Sequence, residues 1–147
     1  MTYIQLQQNW KLNHEHNNLL LSNIKDPTME LTSRQRGRTI SDILQHMVKN
    51  RFDWLQHLTP ALDYQTPDTN TSELTTFFEQ SYNWVSDCIS VEEEGTRIKG
   101  FKSDLFGFVI YLISHDSHHR GQIFQIMRDN KVKIEPKLQY GIWDWKY

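Results

Sequence analysis

The chain has 147 residues, 37% of them hydrophobic, and a net charge of -2 with its histidines neutral. A chain this long buries roughly two thirds of its unfolded surface around one core, so a single domain spanning 1–147 is expected. The near balance of charge supplies no field for nucleic acid or an anionic membrane, which leaves small molecules or protein as expected partners.

Tyr3 to Ile24 forms the first expected helix, with Ile4, Trp10, Leu19, Leu20 and Ile24 as its core contacts and a polar stretch around His14 and His16. Met1 to Lys11 carries Gln5, Gln7, Gln8 and Asn9 where a signal peptide would be uninterruptedly apolar, so secretion is not expected. Asp26 and Pro27 open a linker to Arg38, in which Arg34, Arg36 and Arg38 flank Gly37 as a small basic cluster.

A second helix is expected from Thr39, where Asp42 three residues on makes a carboxylate capping box, to about Leu58 before Pro60. Its apolar stripe is Ile40, Ile43, Leu44, Met47, Trp54, Leu55 and Leu58, at helical spacing. Residues 59–70, with Pro60 and Pro67, read as a long crossing loop that ends in a cap at Asn70, Thr71 or Ser72. The third helix then runs to about Ser90 and offers Leu74, Phe77, Phe78, Trp84, Val85 and Ile89 to the core. Cys88, the sole cysteine, reads as a small buried hydrophobe, and alone it excludes an intrachain disulfide or a thiolate cluster.

Glu92, Glu93, Glu94, Gly95 and Gly100 mark the next break, and Ser103 is the expected cap of a fourth helix ending near Asp129. That helix contains the longest nearly apolar run, Phe106 to Ile113, far short of the ~20 residues that span a bilayer. The tail from Lys131 holds Ile142, Trp143, Trp145 and Tyr147, aromatic and apolar surface expected to pack across the helices. The fold expected is all-α, an antiparallel four-helix bundle with one long crossing loop and an aromatic C-terminal tail packed on it.

Seven histidines occur, three of them within His115 to His119. Leu105, Phe108, Leu112, His115, His119, Gln122 and Ile126 recur at spacings of three and four, which sets them on one inward seam. His115 and His119 stand one turn apart, ~5 to 6 Å between Cβ atoms, and can converge on one ion. Two buried histidines that merely satisfy a core are the competing reading. A third ligand is available from His46 or His57 on the second helix, or from His14 and His16 on the first. His46 is the best placed, at the edge of its stripe, whereas His57 suits a helix C-terminus.

His118 lies off the seam and is assigned to the outer shell of the site or the surface. Gln122, one turn past His119, is a candidate partner for a ligand or for a molecule bound there. Arg120 is a candidate to steer an anionic substrate, with a surface salt bridge as the alternative. Gly121, about 1 kcal/mol worse than Ala in mid-helix, suggests close approach of another helix.

The run Ile113-Ser114-His115-Asp116-Ser117-His118-His119-Arg120-Gly121-Gln122-Ile123 closely resembles the fourth-helix signature of the DinB-like (YfiT-related) family of metal-binding helical bundles. Thr39 to Met47 looks like that family's other ligand-bearing segment, and Tyr140-Gly141-Ile142-Trp143-Asp144-Trp145 like its aromatic ending. The resemblance spans most of the chain. It implies His46, His115 and His119 as ligands of one divalent metal ion, nickel, zinc or manganese, with water or substrate in the remaining positions. It also implies a homodimer and, from some relatives, thiol-dependent transfer using a low-molecular-weight thiol such as bacillithiol or mycothiol.

The function expected is thus a thiol-dependent S-transferase-like activity in the cytoplasm, with a metal-activated thiol or water. A metal-dependent hydrolase and a non-catalytic dimerisation or binding module are the alternatives. A basic groove or stacking platform for nucleic acid is absent from the sequence.

Overall fold

In a computed structural model that describes residues 1–33, 37–58, 71–91 and 97–144, helices form where the sequence sustains a helical repeat. They are α1 Tyr3–Leu21, α2 Asp26–Met29, α3 Ile40–Leu58, α4 Thr71–Val91, α5 Leu105–Asp129 and α6 Pro136–Gly141. Among the described residues there is no strand, only the isolated bridges Thr32 to Thr39 and Arg97 to Asp104. No helix among them is long and apolar enough to cross a membrane. Arg34 and Arg36, the expected crossing loop at 59–70, Glu92 to Gly95, Trp145 and Tyr147 lie outside the described residues. So do the side chains of Asn70, Thr71 and Ser72, the expected caps of α4.

Reciprocal side-chain bonds start two of the long helices. Thr39 N–H donates to Asp42 Oδ2 at 2.8 Å while Asp42 N–H donates to Thr39 Oγ1 at 3.0 Å, the capping box expected for α3. Thr2 and Gln5 do the same for α1. The cap of α5 is Asp104 instead of Ser103: its carboxylate accepts the Gly107 N–H at 3.0 Å and adds negative charge at the positive end of the helix. The one-turn α2 was not expected in the linker, although Pro27 in its first turn is a start signal.

α1 and α3 each pack against both α4 and α5, α6 packs on α1, and α2 on α3. Paired contacts give the directions. Tyr3 meets Phe106 and Asn17 meets Asp116, so α1 and α5 run parallel. Gln7 meets Ser90 and His14 meets Glu79, so α4 opposes α1. Tyr111 meets Asn50 and His115 meets His46, so α3 opposes α5 and therefore shares the direction of α4.

The core is divided in two. One cluster joins Leu20, Leu44, Met47, Phe78, Ile123 and Met127; the other joins Leu6, Trp10, Leu55, Val85, Phe108 and Leu112. On each long helix the residues between the two clusters are polar: Asn13 and Asn17 on α1, Arg51 on α3, Ser81 on α4, Asp116 and Arg120 on α5, all buried.

Ile4 is 71% exposed, because it lies about 160° round α1 from Leu6 and about 120° from Trp10. The tail docks through Leu138 and Ile142, one turn apart, and Gly141 admits Leu19 so closely that a Cβ there would lie 2.6 Å from Leu19 Cδ2. The same turn rotates Tyr140 and Trp143 into solvent, so among the described residues the tail's contact is aliphatic, while Trp145 and Tyr147 of the expected aromatic packing lie outside them.

Candidate metal centre

Antiparallel α3 and α5 bring His46 opposite the His115–His119 pair. His115 Nε2 lies 3.2 Å from His46 Nε2 and 3.2 Å from His119 Nε2. Among the described residues these three make the one such cluster, with ligand atoms all within 4.8 Å of one another. Two nitrogens bound about 2.1 Å from one ion are about 3.0 Å apart at a right angle and about 3.4 Å apart at the tetrahedral angle. The two observed separations fall between these limits, so His115 pairs with His46 and with His119 at spacings that suit a first-row divalent ion.

The outer partners of the rings fit as well. His119 Nδ1–H donates to Gln122 Oε1 at 2.8 Å, which keeps the proton on Nδ1 and leaves the Nε2 lone pair facing the cluster. Burial pushes the His119 ring down to about 4; His115, His46 and His118 add to this, against the Gln122 bond. Burial, then His115 and Arg38, also lowers His46. Both rings are neutral at pH 7 and available as ligands.

Behind His115 lies a charged group that sequence reading did not single out. Asp116 is fully buried, and its Oδ2 accepts from Arg51 Nη2, from Asn13 Nδ2 at 2.7 Å and from Asn17 Nδ2 at 2.9 Å. Burial alone would raise this carboxyl, but the Arg51 guanidinium, with Arg120 beyond it, outweighs that and holds it below the usual carboxylate range. Arg51 in turn donates to Ser81 Oγ at 3.0 Å and lies 4.8 Å from the ring centres of Trp10 and Phe78. The available signal was a set of polar residues at core spacing, Asn13 and Asn17 on α1 and Asp116 and Arg120 on α5.

The remaining candidates separate. His118 is exposed and accepts from Gln122 Nε2 at 3.0 Å. Gln122 is itself exposed, and its bonds stay within α5. His57 is exposed beside Trp54, His14 stacks on Tyr82 and contacts Glu79, and His16 lies 3.4 Å from the Asp144 carbonyl, so none of the three joins the cluster.

Arg120 is no surface ion pair. It is buried, its Nη1 donating to Asn13 Oδ1 and Asn17 Oδ1 and its Nη2 to Ser117 Oγ. It borders a cavity of about 380 Å³ with Gly121, Phe124, Arg128, Tyr140 and Trp143, on the side of α5 opposite the histidines. Among the described residues Gly121 meets no packed helix: a Cβ there would have nothing of theirs within 4 Å.

A separate cavity of about 320 Å³ reaches the cluster, lined by His119 and Gln122 together with Arg38, Ile43, Gln125 and Ile126. It gives a small molecule a place beside the His119 ring, at one edge of the cluster.

The family model described as DinB family matches residues 1–130 of the chain. No curated protein and no solved structure matches it.

Proposed function

The chain belongs to the DinB family, and from that premise we propose that it is a metal-dependent enzyme that activates a small thiol for transfer to an electrophile. The convergence of the His46, His115 and His119 Nε2 atoms, with two separations of 3.2 Å, carries this proposal. A divalent ion held there supplies Lewis acidity, lowering the pKa of a thiol or water in an open position so that the anion forms at neutral pH.

The chain's own side chains do the positioning. Gln122 holds the His119 tautomer, Asp116 keeps a negative charge behind His115, and the cavity beside His119 admits the reactants. That cavity favours catalysis over a purely structural ion, because structural sites are closed and catalytic sites keep a position open. Reduced small thiols belong to the cytoplasm, which is the location this reading requires. We read the four long helices as one single-domain bundle that pairs as a homodimer, with the exposed Ile4 and Ile110 as apolar contacts on offer.

Elemental analysis after exhaustive dialysis tests the proposal. One nickel, zinc or manganese per native chain, lost in His46→Ala and His119→Ala, supports it and leads on to assays of thiols against electrophiles. A folded native chain that binds none of the three after reconstitution sinks it.

A further inference from the structure

The sequence nominated Arg120 to attract an anion, but its guanidinium is spent on Asn13, Asn17 and Ser117 and faces the opposite side of α5. Among the described residues the arginine that borders the histidine-side cavity is Arg38. It is exposed and has no hydrogen bond or ion pair among the described residues.

The cavity has the character of a small-ligand site. Its volume, about 320 Å³, lies at the lower end of the range such sites occupy. Ile43 and Ile126 give it apolar walls, and Gln122 and Gln125 give it amides. Among the described residues that line it none is acidic, and Arg38 is the one charged group. A guanidinium fork in such a setting pairs with an oxyanion through two parallel N–H bonds.

We propose that this cavity binds a small organic anion, its acidic group held by Arg38 and its reacting end turned toward His46, His115 and His119. This rests on the metal-dependent reading for its chemistry, but the anion site can be tested apart from it. It deepens that reading by naming the substrate class: the thiol or its electrophilic partner carries a carboxylate, sulfonate or similar oxyanion within a few bonds of the reacting atom.

The full chain loaded with cobalt(II) is titrated with 2-mercaptoethanesulfonate and with 2-mercaptoethanol, following the cobalt absorption bands. These thiols differ in one anionic group that is itself a poor metal ligand. The native chain is expected to bind the sulfonate about three- to tenfold more tightly. Arg38→Gln removes the preference, Arg38→Lys keeps part of it, and affinity for 2-mercaptoethanol stays constant throughout. Equal binding of both thiols by the native chain, or a preference that survives Arg38→Gln, overturns the inference.

Succinate probes the cavity without any metal. It is expected to shift the amide signals of Gly37 and the side-chain amide of Gln125 in the native chain and not in Arg38→Gln. Such shifts in a chain that binds no cobalt would leave the anion site standing while the metal reading falls. Metal binding without them would do the reverse.

Discussion

His115 Nδ1 and Asp116 Oδ1 lie 3.9 Å apart, each buried and neither with a hydrogen-bond partner among the described residues. The separation exceeds a hydrogen bond, so the carboxylate stands behind this ring as a nearby charge. Metal-ligating histidines usually have such an acceptor behind them, and its loss costs about ten- to a hundredfold in metal affinity.

Asp116→Asn is therefore expected to weaken metal binding in that range and also to destabilise the fold. It leaves Arg51 charged, fully buried and facing an amide, and stranding one partner of a buried pair costs about 3–5 kcal/mol. Urea unfolding of the metal-free protein measures the second effect independently of the first. A loss under about 1 kcal/mol would show that Arg51 is satisfied without Asp116.

Gln122→Ala separates the two effects. Gln122 is exposed, so its loss should change stability by no more than about 0.5 kcal/mol. It frees His119 Nδ1 from its acceptor, and metal affinity should fall about tenfold. Competition with a chelator of known strength reads the affinity, and an unchanged value would remove Gln122 from the site.

The metal-free protein should lose stability with acid at the expense of its histidines. The His119 ring sits at about 4 when folded and at the ordinary 6.5 when unfolded, and His14, His16 and His46 are lowered too, each first by burial. Between these values the unfolded chain binds more protons, so stability is full above pH 6.5 and declines as pH falls toward about 4. Thermal melts at about pH 7, 5.5 and 4.5 should show a falling midpoint. A flat profile would mean that the rings are charged or solvated in the fold.

Gly121→Ala should stabilise the protein by up to about 1 kcal/mol, since α5 gains a better helix former and the new methyl meets no atom within 4 Å. Chemical denaturation checks it. Destabilisation instead would place a partner against that face, such as a second copy of the chain.

The α5 seam was legible because Leu105, Phe108 and Leu112 repeat at helical spacing and carry His115 and His119 in phase with them. The start of α3 was legible because a capping box is a local signal. α1 was read weakly for a physical reason: its buried face includes Asn13, His14, His16 and Asn17, so an apolar pattern describes only its two ends. Arg51 and Asp116 are each unremarkable as surface residues in sequence, and only their pairing across 65 residues identifies them as core. Arg38 was legible only as part of the linker's basic cluster, because the cavity it borders is completed by α5 residues distant in sequence.

The buried polar layer also acts as an alignment mark for the helices. Apolar ridges tolerate sliding, since one leucine meets another about as well a turn further on. A one-turn slip of α3 along α5, about 5.4 Å, would part Arg51 from Asp116, its buried counter-charge, and would draw His46 away from His115 by the same step. An ion pair that need add little to stability thus sets the longitudinal position of α3, and with it the spacing of three nitrogens that arrive from two separate helices.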